Sequence, residues 1–173
     1  MQTFIKERGI FVFNMLYIII IISIFLSECC VKKHMDRVRT LKERRPLAGG
    51  RIILKKYYNT GAAGNLLSSR PGIMLCIHGA VLGTVSAALC HMLHRQETGI
   101  LKLGLAFMAG GGLSNLYDRL TKGHVVDYLS FGFGPKQFCR LVFNAADFFV
   151  FTGAVLCAAQ VIAKKTLSPQ GDL

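Results

Sequence analysis

The chain has 173 residues, 52% of them hydrophobic and 17% charged, with 21 Lys and Arg against nine acidic residues. A soluble domain of this length would lack the polar material to cover its surface, so the composition excludes one and points to a membrane enzyme or channel.

Four long apolar segments follow in chain order, at about 10–27, 73–93, 100–117 and 141–163. A bilayer core takes roughly 17–25 residues per helix, and each segment falls in or near that window. The first follows a basic start (Lys6, Arg8), which also describes a signal peptide, and it runs into Leu26-Ser-Glu-Cys29, close to the cleavage box of a lipoprotein precursor. Glu28 stands where that box needs a small residue. The apolar run is also longer than a usual signal core, so the segment reads as a retained helix.

Residues 32–72 connect the first two helices, and eleven of the 21 Lys and Arg lie between Lys32 and Arg70. His34 to Pro46 is polar, poorly periodic and read as mobile. Arg51-Ile-Ile-Leu-Lys-Lys-Tyr-Tyr58 is rich in strand-favouring residues and runs into Asn59-Thr-Gly61, where glycine permits a turn, so a small extramembrane β element is expected. With four spans, this connection and residues 118–140 share one side and hold fifteen basic residues between them. The positive-inside rule alone puts that side in the cytoplasm. The same charges suit docking on membrane phospholipids, whose anionic headgroups attract about 1 kcal/mol per basic residue. Nucleic acid is not expected as a partner, because no aromatic stacking residues interleave with the basic run.

The third segment carries Gly104, Gly110, Gly111, Gly112 and Ser114. Small residues let helices approach closely in lipid, which would fix where Asn115 and Asp118 point. Lys102, near the start of this segment, is placed to snorkel. His78, His91, His94 and His124 form no His-Glu-x-x-His, and the six cysteines have no paired ligand spacing, so no metal or other cofactor is expected. Gly112-Leu-Ser-Asn115 is similar to the serine loop of rhomboid proteases, but Asn115 replaces the glycine and no base is at hand for a serine nucleophile.

What remains is Asp118, Asp127 and Asp147, within thirty residues. Carboxylates at the ends of apolar segments are expensive and mark function by default. Asn115-Leu-Tyr-Asp118 and Asn144-Ala-Ala-Asp147 each put an amide and a carboxyl on one helix face. Two carboxyls within a few ångströms cannot both ionise comfortably, so one keeps a proton while the other acts as base toward water. That is the chemistry of peptide hydrolysis without a metal or a covalent intermediate. Symmetry alone would pair Asp118 with Asp147.

Three ordered blocks change that pairing. Asn115-Leu-Tyr-Asp-Arg119, Gly123-His-Val-Val-Asp-Tyr128 and Phe143-Asn-Ala-Ala-Asp147 resemble the signature of the lipoprotein signal peptidases (signal peptidase II), and Tyr58-Asn-Thr-Gly-Ala-Ala63 resembles that family's first-loop signature. The resemblance implies Asp127 and Asp147 as catalytic residues. It implies Asn59, Gly61, Asn115, Arg119 and Asn144 as substrate-binding or supporting residues, and leaves Asp118 as a structural partner of Arg119. It further implies a four-transmembrane-helix bundle with a small extracytoplasmic β cradle, one membrane domain over residues 1–173, both termini cytoplasmic, the dyad near the outer surface of a bacterial cell membrane, and diacylglyceryl-modified lipoprotein precursors as substrates. Three positions depart from the pattern: Glu28-Cys-Cys-Val-Lys32 stands for Asp-Gln-x-x-Lys, Gly64 for Phe, and Ser114 for Gly. Two other readings stay open. A presenilin-like aspartyl protease needs about twice the spans and a Gly-x-Gly-Asp, and a non-catalytic divergent homologue would act as a membrane binding protein.

Overall fold

The structure, a computed structural model, describes residues 2–41, 43–62, 66–94 and 99–167, the side chains of 2–13 and 167 aside. Four of its helices are long and apolar enough to cross a bilayer. They are α1 (Gln2–Val38, with the apolar stretch Asn14–Val38), α2 (Pro71–Leu93), α3 (Gly99–Lys122) and α5 (Ala145–Leu167). In hydrocarbon a backbone must satisfy itself internally, so the run Ile18-Ile-Ile-Ile-Ile22, a mediocre helix former in water, is helical here. Pro71 fills the first turn of α2, where its missing N–H costs nothing. α3 stops at Gly123, whose φ of +76° is left-handed and whose N–H returns to the Arg119 carbonyl at 3.1 Å.

α3 is the central helix. Of its spanning window 56% is buried, against 11–17% in the other three, and it packs on α1, α2 and α5. The close approach depends on glycine: a Cβ on Gly111 would sit 2.5 Å from the Ala146 carbonyl oxygen of α5. Ala146 belongs to the first turn of α5, so this contact brings Asn115, one turn further along α3, level with the start of α5.

Three antiparallel strands, β1 (Arg44–Leu47), β2 (Ile52–Asn59) and β3 (Val125–Phe131), lie in the order β1-β2-β3. They cap the end of the bundle where α1 and α3 finish and where α2 and α5 begin. A register shift between Leu54 and Tyr57 brings Tyr57 opposite Asp127 and Asn59 opposite Val125. After β3 comes a short helix, α4 (Lys136–Arg140), and then Phe143 joins the far edge of β3 through two backbone hydrogen bonds with Leu129, both 2.7 Å. That bridge carries Asn144, the next residue, to the side of β3.

Several boundaries differ from the sequence reading. α1 does not end near residue 27 but continues to Val38, so Glu28 and Lys32 belong to the helix, and His34 to Pro46, expected to be mobile, is partly the end of α1 and partly β1. Hydropathy ends the span at the first polar residues; here the polar side chains turn inward onto the bundle. Residues 118–140 are not one loop, since α3 runs to Lys122 and β3 and α4 follow. The fourth spanning helix begins at Ala145 instead of Leu141, because Leu141 caps α4 and Phe143 is bonded to β3. Lys102, expected to snorkel, is 8% exposed. The strand expected at 51–58 is found as β2, while β1, four residues with a proline, and β3 fall where no strand is expected and take their places by pairing with β2. Gly64 and Ala63 lie outside the described residues.

Candidate active site

Asn144-Ala-Ala-Asp147 is a capping box at the start of α5. Asn144 Oδ1 accepts from the Asp147 N–H at 3.1 Å, and Asp147 Oδ2 accepts from the Asn144 N–H at 2.9 Å. With its oxygen and backbone committed, Asn144 has its amide NH2 left to donate. It gives one bond to Asp127 Oδ1 at 2.6 Å and another to Asn115 Oδ1 at 3.1 Å. One fully buried asparagine therefore ties together both aspartates and α3.

Each carboxylate has a second donor. Asp127 Oδ2 accepts from Asn59 Nδ2 at 3.0 Å, and Asp147 Oδ1 accepts from Asn115 Nδ2 at 2.8 Å. Asn59 is itself held, because its Oδ1 accepts from the Gly61 N–H at 3.0 Å and makes a local Asx-type turn. The Gly61 carbonyl accepts from the Arg119 guanidinium, which also reaches the Asn115 carbonyl at 3.5 Å. All seven residues singled out by the resemblance thus form one connected set: Asn59, Gly61, Asn115, Arg119, Asp127, Asn144 and Asp147. Asp127, 1% exposed, has its carboxyl pushed up to about 7, first by burial and then by the negative charge of Asp147.

A second layer holds the first. Lys32 of α1, 1% exposed, donates to Asn115 Oδ1 at 2.7 Å and to Ser114 Oγ at 3.0 Å, and pairs with Asp118 at 3.3 Å. Ser114, which departs from the usual glycine, therefore accepts a bond from Lys32. Asp118 is not the partner of Arg119: it pairs with Lys32 and with Lys122 at 2.9 Å and accepts from the Val126 N–H at 3.3 Å. The reason is helical geometry, since Lys122 lies one turn on from Asp118 while Arg119 projects toward Gly61. Symmetry with Asp147 is also lost, because Asn115-x-x-Asp118 closes a helix while Asn144-x-x-Asp147 opens one. Glu28 accepts from the Tyr128 hydroxyl at 3.0 Å, and that hydroxyl accepts from the Ala145 N–H at 3.1 Å, so α1 also steadies the start of α5. Lys32 and Tyr128 have no assigned role in the sequence reading, although Glu28 and Lys32 at i, i+4 carried a signal. His124 packs on Tyr58, with ring centroids 4.1 Å apart and planes tilted by 43°.

Five of the seven residues face a cleft of about 460 Å³, and Gly61 and Asn144 stand behind them. Asn59, Asn115, Arg119, Asp127 and Asp147 line its polar part. Met74, Val81 and Leu82 of α2 and Val150, Phe151 and Ala154 of α5 make an apolar wall that continues into the spanning layer. His78 lines it as well, its Nε2 at 3.1 Å from the Gly112 carbonyl.

Residues 18–163 match the family model described as signal peptidase (SPase) II. A lipoprotein signal peptidase of Caldicellulosiruptor bescii is 30% identical over 151 residues, covering 87% of this chain and 93% of that relative. One of Ectopseudomonas mendocina is 32% identical over 145 residues, 82% of this chain and 85% of its own. A bacterial membrane enzyme solved by the in meso method at 2.3 Å resolution has the same fold, with a TM-score of 0.76 over 91% of this chain and 94% of its own at 17% identity.

Removing one partner of a buried ion pair leaves the other charge uncompensated. Asp118→Asn is therefore expected to lower stability by about 3 kcal/mol, read as a fall in the thermal midpoint in detergent, whereas Lys122→Gln, on the more exposed arm, costs under about 1 kcal/mol. Equal midpoints for wild type and Asp118→Asn would contradict the pairing.

Proposed function

The chain belongs to the signal peptidase II family and is a membrane protease that cleaves signal peptides, and on that premise we propose that Asp127 and Asp147 are its catalytic pair. The observation that carries this reading is the bridge made by Asn144, whose backbone and side chain hold the two carboxyls on one cleft wall. In the proposed mechanism the pair shares one proton near neutral pH, and Asp127, with its raised affinity, keeps it. Ionised Asp147, oriented by Asn115 and the Asn144 N–H, takes a proton from water as the water oxygen attacks the scissile carbonyl carbon. Protonated Asp127 donates to the carbonyl oxygen. When the tetrahedral species collapses, the C–N bond breaks, the proton held by Asp147 passes to the departing nitrogen, and Asp127 recovers its own. No bond to the enzyme forms.

The cleft supports a substrate class. Its apolar α2 and α5 wall suits a signal helix and acyl chains entering sideways from lipid, while the carboxyls stand where the spanning layer gives way to the sheet. A diacylglyceryl-modified lipoprotein precursor, cut just before its lipidated cysteine, meets both conditions. Asn59 and Arg119 would form the polar lip over the peptide and Asn115 the floor, with Gly61 and Asn144 supporting them from behind. The reading puts the sheet outside a bacterial cell membrane and both termini in the cytoplasm, against the simple count of basic residues. Lys32 weighs little in that count, since it is buried against Asp118.

Reconstituted with a diacylglyceryl-modified precursor peptide, the wild type is expected to cleave before the modified cysteine. Asp127→Asn and Asp147→Asn should lose at least about a thousandfold in rate while remaining folded, and Asp118→Asn should keep measurable cleavage. Total, equal loss in all three folded variants would overturn the assignment. A topology reporter inserted in the segment between α1 and β1 should read as extracytoplasmic; a cytoplasmic signal puts the pair on the wrong side.

A further inference from the structure

Two more recesses, of about 390 and about 440 Å³, open on the sheet end of the molecule. Arg44, Lys55 and Arg140 line both, and Lys136 lines the second. The first also shares Asn59, Leu141 and Val142 with the catalytic cleft. Four cationic side chains from β1, β2 and α4 thus converge beside the site. Among the described residues none of the four takes part in an ion pair, and the acid at hand, Glu43, is paired with Arg39. Like charges held together repel, and burial together with the charge of Arg44 lowers the pKa of Lys55 below the usual lysine value. A bound anion would relieve both.

The surroundings indicate which anion. Arg140 closes α4 five residues before Ala145, where a spanning helix begins, so the recess stands at the level of the lipid headgroups. Phe133 is 54% exposed and packs 5.5 Å from the Phe131 ring, next to α4, and Leu41 on the recess wall is 58% exposed. Exposed aromatic and aliphatic side chains interleaved with Lys and Arg are what the boundary between headgroups and acyl chains accommodates, and a soluble acidic peptide would leave them in water. We propose that Arg44, Lys55, Lys136 and Arg140 form a binding site for the phosphate of an anionic phospholipid at the rim of the catalytic cleft. Such a lipid would anchor the sheet to the membrane surface and hold the open side of the cleft toward the bilayer. The inference rests on the membrane placement proposed above and not on which residues catalyse.

The test titrates the full-length protein in neutral detergent with phosphatidylglycerol or phosphatidylcholine and reads lipid retention by native mass spectrometry. The wild type should hold phosphatidylglycerol about tenfold more tightly. Combined Arg44→Gln, Lys55→Gln, Lys136→Gln and Arg140→Gln should erase that preference at an unchanged thermal midpoint. Asp127→Asn, and Lys33→Gln with Arg37→Gln on the exposed end of α1, should keep it, which separates failure of the lipid site from failure of the catalytic assignment. If the fourfold variant does not fold, Lys136→Gln and Arg140→Gln singly should each weaken retention about two- to fivefold. Equal retention of the two lipids by the wild type, a preference that survives the substitutions, or full displacement of phosphatidylglycerol by equimolar inorganic phosphate or a soluble acidic peptide would each overturn the proposal.

Discussion

The arrangement depends on a single buried amide. Asn144 is fully buried, and every polar group on it that the site uses is engaged: Oδ1 and the backbone N–H close the capping box with Asp147, and Nδ2 divides between Asp127 and Asn115. An unpaired polar group at that depth costs roughly 1–3 kcal/mol, and a lone buried carboxylate more, so neither aspartate could be kept in place without such a partner. The neighbours serve to deliver Asn144 to its position. Phe143 is stitched to Leu129, Ala145 is held by the Tyr128 hydroxyl, and Gly111 lets α3 close on Ala146.

Charge in this layer is stabilised outward from the cleft. Lys32 compensates Asp118 and orients Asn115, Asn115 orients Asp147, and Asn59 orients Asp127. Among the described residues Glu28 Oε2 and Arg119 Nε are buried without a partner, but both carboxyls are engaged, and the connected network gives them one geometry where the helix bundle meets the sheet. The departures from the family pattern at Glu28 and Ser114 are absorbed in the same way, as an acceptor for Tyr128 and an acceptor for Lys32. The basic surface then divides into charges used internally and charges left facing outward, and only the second kind bears on lipid.

Much of this was legible from residue order. Hydropathy marked four helices because a span needs about 20 apolar residues whatever its neighbours, and Arg51 to Tyr58 signalled β2 through its β-branched and aromatic content. The seven candidate site residues came from the resemblance to the signal peptidase II signature blocks; the residue pattern alone offered a turn at Gly61 and would have paired Asp118 with Asp147. What stayed hidden depends on partners distant in sequence. β1 and β3 exist through pairing with β2, α1 runs past Ser27 because Glu28 and Lys32 find Tyr128 and Asp118, and Asp118 chose two lysines over its neighbour Arg119. Periodicity sees a helix face but not what that face meets.

In the proposed mechanism two carboxyls share one proton, held near neutrality by Asp127. The most direct measurement is the single-turnover rate of precursor cleavage against pH. Burial and the charge of Asp147 raise the Asp127 carboxyl to about 7, so the acid form it must supply is present below that pH and lost above it. The rate is expected to fall about tenfold per unit once pH rises past neutrality, with a second limb on the acid side where the pair gains another proton. A rate that stays flat or climbs through pH 7 to about 9 would contradict it.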